Sequence, residues 1–256
     1  MRLSPLLIAL ALFPMLTGSA RAGTLPQVEV TTCGQVVPDR TLGYLSADLD
    51  CTGFTGGPVN AVYQGAAVYL GKKSQLDLRG FTVTGGRSGV LCDALTCDGR
   101  PCSQGPCEVF NGTVTGATSG DTGVRGYVPR VHDLTISGFN FGIVAVTRAT
   151  LTNVTVTGAA ENGVEGYGAQ HGFRTLTMDG STVTGSGRFG VAVFSNLGMA
   201  LLKSSTISGN GGPTFCNAGP GECGDIFTYR RPRLVDTTCD TSVALSGGNW
   251  GVCSLD

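Results

Sequence analysis

From Leu78 onward one short phrase of alternating polar and apolar positions returns seven times: LRGFTVTG, VFNGTVTG, VHDLTISG, LTNVTVTG, MDGSTVTG, LKSSTISG and LVDTTCDT. Aligned on Val83, Val114, Ile136, Val156, Val183, Ile207 and Cys239, the copies are 31, 22, 20, 27, 24 and 32 residues apart. Thr stands before every anchor, Thr or Ser follows six of them, and Gly comes next in the same six. A period of two puts the anchor on one side of a strand and both hydroxyls on the other. Five positions before the anchors lie Leu78, Val109, Val131, Leu151, Met178, Leu202 and Leu234, which predicts a second apolar column. Three positions before, Asn111, Asp133, Asn153, Ser204 and Asp236 predict a polar ladder at a turn. Thr, Val and Gly at this density oppose helix and favour strand and turn.

Gly123-Val124, Gly142-Ile143, Gly163-Val164 and Gly190-Val191 predict a second strand later in each repeat. Strands stacked in one register with a variable return path describe a solenoid. The pattern therefore predicts an all-β protein: a single right-handed parallel β-helix with disulfide-stapled caps and loops. Residues 23–75 form its N-terminal cap and first coils, and residues 76–256 its repeat coils and C-terminal cap.

The N-terminus changes the picture of where this solenoid works. Residues 3–16 are almost wholly apolar after Met1-Arg2, and the small residues that follow end in Ala20-Arg21-Ala22. That is the layout of a secretion signal over residues 1–22, cut before Gly23. The apolar run is short and interrupted by Pro5 and Pro14, so a membrane span is not expected. Export to the periplasm or the medium follows. Removing residues 1–22 takes away Arg2 and Arg21 and no acid, which moves the formal net charge from −1 to −3. That is close to neutral, with no basic block suited to the phosphates of a nucleic-acid backbone, so nucleic acid is a poor partner.

Ten cysteines in an exported chain suggest disulfides. Cys33 and Cys51 flank the N-terminal segment, Cys216 and Cys223 close a Gly/Pro-rich loop, and Cys239 and Cys253 bracket the C-terminus. Those three pairs are expected. Cys92, Cys97, Cys102 and Cys107 recur at every fifth position and leave their connectivity open. Four evenly spaced thiols could instead hold zinc, but zinc sites pair closely spaced ligands, and no metal is expected.

The repeat resembles that of the parallel β-helix proteins of the pectate-lyase-like superfamily, over most of the chain from about residue 76. The tail DIFTYRRPRLVDTTCDTS with its closing NWGVC is similar to exported bacterial β-helix proteins. The resemblance implies an architecture that hosts many activities. Lyases of the superfamily bind calcium on outward acids and use an Arg or Lys base; its hydrolases use a carboxylate cluster. Arg230-Arg231-Pro232-Arg233 resembles the Arg/Pro segment of pectate lyases, but the spacing of the second Arg differs.

For catalysis the candidates are Asp121, Glu161 and Arg188, each two residues before a second-strand Gly, with Asn140 in the same column. Asp121 and Glu161 would lie two ranks apart, roughly 9–10 Å, near the upper limit for an inverting carboxylate pair. His132 and His171 share no column. For binding the candidates are Tyr127, Tyr167, Phe194 and Tyr229, three residues after the second-strand Val or Ile, with Val146 in the same column. Rings about 5 Å apart would suit sugar faces; alternatively they cover a turn. The Thr-x-Thr face offers a smaller possibility, ice binding, against which the irregular coil lengths speak. The expected function is binding of polysaccharide or another cell-surface component without catalysis. The alternative is a polysaccharide lyase or glycoside hydrolase, and only the lyase would need calcium.

Overall fold

The computed structural model describes residues 24–58, 63–92, 96–97, 100–101, 105–168, 172–212, 223–244 and 248–256, and of 96–97, 100–101 and 118–120 the backbone alone. The expected secretion signal and its cleavage point, Cys102, Cys216 and His171 lie outside these residues, as does the side chain of Cys97.

The chain is a parallel β-helix with three faces. On the first face Val28, Gly43, Leu76, Val109, Val131, Leu151, Met178, Leu202 and Leu234 stand in one column. On the second, Leu49, Val83, Val114, Ile136, Val156, Val183, Ile207 and Cys239 form the anchor column. On the third, Val68, Val90, Val124, Ile143, Val164, Val191 and Ile226 are in register. All the anchors are buried, so the three columns meet in one apolar interior. No helix occurs among the described residues. Pro106–Gly126 and Val128–Ala145 each run through all three faces almost without interruption.

One expected alignment is corrected. Leu78 does not join the first column; Leu76 pairs with Val109 instead. That coil holds two extra residues in its corner, with Arg79 and Gly80 both at positive φ. Leu78 is buried all the same. It fills the space above Gly112, where any side chain would collide with it.

The corners explain the repeat's other letters. Asn111, Asp133, Asn153, Ser204 and Asp236 all have φ between 47° and 59°, and Gly180 takes the same place at 60°. This left-handed bend tolerates Asn and Asp because their short polar side chains bond locally. Here they also bond between coils: Asn111 Nδ2 donates to Asp77 Oδ1 at 3.2 Å and Asn153 Nδ2 to Asp133 Oδ1 at 3.1 Å. Inside the bend Val154 N–H donates to Ser181 Oγ, Ser181 N–H to Ser205 Oγ and Ser205 N–H to Thr237 Oγ1.

The Gly of each Gly-Val pair has a different cause. A Cβ at Gly89, Gly123, Gly142, Gly163 or Gly190 would overlap the Val114, Ile136, Val156, Val183 or Ile207 side chain respectively. The interior is narrow there, and the second-face anchors occupy the room.

Disulfides Cys33–Cys51 and Cys239–Cys253 are present as expected, and Cys92–Cys107 resolves part of the open quartet. Cys223 is disulfide-bonded too. Cys92 and Cys107 are buried and join a third-face strand to the next coil, so two of the four thiols are unavailable to zinc. Gly126 leaves room for the bond, since a Cβ there would press on Cys92.

Candidate ligand-binding face

The outer side of the third face carries two columns of side chains. The nearer one contains Tyr69, Leu91, Arg125, Val144, Glu165, Ala192, Phe227 and Val243. The farther one holds the aromatic series. Tyr167 pairs with Phe194 in register, and Thr147 N–H and its hydroxyl both bond Tyr127 O beside Val146. Between the columns Gly126, Ala145, Gly166, Val193 and Thr228 point inward and are buried.

The rings of this column differ in what they do. Tyr167 stands out, 48% exposed. Phe194 and Tyr229 are half-buried and lean on Phe227, with centroids 5.2 and 6.1 Å away. Phe189 lies against the same ring at 4.8 Å, completing an apolar cluster outside the main core. Tyr127 is half-buried at the opposite end. It borders a small cleft, partly open to solvent, that is also lined by Tyr63, Leu91, Arg125 and Val146. The Arg125 guanidinium lies 4.2 Å above the Tyr63 ring and donates to Tyr63 Oη at 2.9 Å.

Glu165 lies between these ends, and sequence reasoning passed over it. Its neighbours across the sheet are Val144 and Ala192, whose side chains have no donor for its carboxyl. Burial pushes its carboxyl above the usual range. The Asn162 amide, donating at 2.7 Å, works against that; the charge of Glu161 adds to it, and those of Arg125 and Arg188 subtract. Asn162 is itself buried, with Oδ1 accepting from Phe189 N–H, so the carboxyl is held by a fixed partner. The signal that could have found Glu165 is its parity: it stands two residues before Tyr167 on one strand, so both face outward.

The charged column at the entry to the third face is assembled as well. Asp121 pairs with Arg87 in the preceding coil, and both are solvent-accessible. Gly120 faces Phe139 and Thr122 faces Phe141, which sets Asp121 opposite Asn140. Glu161 N–H bonds Asn140 O, and Arg188 N–H bonds Glu161 O. The order is thus Arg87, Asp121, Asn140, Glu161, Arg188, with Asn140 between the two carboxylates and the charge of Asp121 already met. His132 is elsewhere, on the first face, stacked on Phe110 at 4.7 Å and flanked by Glu108 and Asp133.

No family model matches the sequence, and no curated protein matches it. Among solved structures, the enzymatically active domain of bacteriophage CBA120 tailspike protein 2 is similar at 11% identity and a TM-score of 0.45. The match covers 86% of this chain but spans only 38% of that one.

Proposed function

We propose that the protein is exported and binds polysaccharide, without converting it, through the outer side of its third face. Tyr167 supplies an apolar plane for a sugar ring, and the Glu165 carboxyl beside it supplies a hydrogen-bonding group for hydroxyls. The observation that carries this reading is their pairing on one strand, an exposed ring next to a carboxyl buried at a cost to folding. The half-buried Tyr127 and the Tyr63–Arg125 cleft extend the same surface toward the N-terminal coils. No cofactor is required.

A second reading has its own support. Glu165 tends toward the protonated form, Glu161 is near enough to influence it, and Arg188 is close to both; two carboxyl groups held in different environments suit glycoside hydrolysis. Calcium belongs only to a lyase reading. Panning the mature protein over a glycan array, with reducing-end and unsaturated-uronate assays alongside, separates these. Binding without product supports the module, whereas new reducing ends that vanish in Glu165→Gln would establish the hydrolase.

A further inference from the structure

The corner that follows the aromatic column collects residues that lie far apart in the sequence. Of the five large hydrophobic side chains exposed among the described residues, two lie in this corner, Leu197 at 59% and Met199 at 50%, and a third, Tyr167, ends a strand that leads into it. Arg148, Thr175 and Met199 stand in one outward column on adjacent coils. Arg174 directly precedes Thr175, and its carbonyl accepts from Met199 N–H. Arg230 Nε donates to Asn196 O at 2.8 Å, which fixes its guanidinium beside Leu197. Arg233 faces Leu201 across the next pair of strands, and Arg231 precedes it in the same corner.

All five arginines are exposed, and the corner segments 146–148, 172–175, 194–201 and 229–234 contain no acid, in a chain whose net charge is −1. On the strands that leave the corner the nearest acids are Asp179, paired with Lys203, and Asp236, just past the strand that Arg233 begins; on the strand that leads into it Glu165 stands two residues before Tyr167.

An unbranched Met and a Leu at the tip of a turn have no use in sugar stacking or in base stacking. Ringed by guanidinium groups they suit insertion among acyl chains below anionic headgroups. We propose that this corner docks the protein on an anionic lipid bilayer, with Leu197 and Met199 entering the interface and Arg148, Arg174, Arg230, Arg231 and Arg233 pairing with lipid phosphates. The docked solenoid presents the Tyr167 face at the membrane edge. The inference is independent of the polysaccharide reading, because lipid vesicles carry no glycan.

Vesicle co-sedimentation of the mature protein tests it, using phosphatidylcholine alone and phosphatidylcholine with about 30% phosphatidylglycerol. Binding is expected only to the anionic vesicles, and release at about 0.5 M NaCl. Arg230→Ser with Arg231→Ser should weaken it by about fivefold per charge. Leu197→Asp with Met199→Asp should weaken it about tenfold or more while the melting temperature stays near that of the parent. Absence of binding to anionic vesicles at low salt overturns the proposal without any variant. So does binding that Leu197→Asp and Met199→Asp leave unchanged, or capture by single-stranded DNA or a soluble polyuronate but not by vesicles.

Discussion

Gly163 shows how tightly single positions are determined. Its backbone passes so close to Val183 and to the carbonyl of Gly190 that one added methyl has no space. Gly163→Ala should cost about 1–3 kcal/mol by overpacking, read as a fall in the urea midpoint with an unchanged slope. Ile136→Asp should cost more, about 3 kcal/mol or above, because a carboxylate would be buried without a partner. Two carboxyls make opposite predictions against pH. Glu165 is raised in the folded state, so its contribution is present below its unfolded value and is lost as pH rises through the folded one. Glu165→Gln should therefore stabilise at pH 7 and lose that advantage in acid. At Asp256 burial raises the pKa, but bonds from Ser242, Cys253 and Val252 outweigh it and lower the carboxyl overall. Its contribution is present above the unfolded value and is lost as pH falls through the folded one. Asp256→Asn should destabilise at pH 7 and become neutral in strong acid; thermal melts of both variants across pH 3–8 check the signs.

At the scale of strands and corners, the second face was legible in the sequence because its side chains obey a strict alternation from Thr82 to Cys239. The αL bend was legible as its Asn, Asp and Ser residues. The first face was read less well. Alternation fixes which side a residue faces but does not count the residues in a corner, and the two-residue bulge at Arg79 and Gly80 therefore misplaced Leu78. The coils before Leu76 carry no Thr-Val-Thr phrase, so strands such as Gln27–Glu29 and Leu42–Tyr44 show only in three dimensions. The open cysteine quartet could not be resolved by spacing, since equal intervals favour no pair; the inward parity of Cys92 and Cys107 on neighbouring coils decides that one bond. Replacing both with Ser should cost about 2–4 kcal/mol for a loop of this size. Thiol labelling of denatured, unreduced parent protein should find essentially no free Cys.

For the whole molecule, stability accumulates from contacts between neighbouring coils, and the two ends are where it is weakest. The C-terminal end is closed by the Cys239–Cys253 bond and by Asp256, which accepts from Ser242, Val252 and Cys253. Such a rod offers long side surfaces, and its functional face was only partly readable from sequence. The aromatic column was visible, but not that Phe194 and Tyr229 lean on Phe227, because those contacts cross coils of unequal length. Glu165 was hidden among small neighbours, and the five arginines were scattered over more than eighty residues. Tyr167 is central to the proposed polysaccharide face, and its binding and its contribution to stability should be measured on one variant. Tyr167→Ala should weaken binding to the best glycan of the array by about 1–2 kcal/mol, with the melting temperature within a degree or two of the parent. A melting temperature lower by many degrees with glycan binding intact would mean that the ring covers a turn, and the polysaccharide face would have to be abandoned.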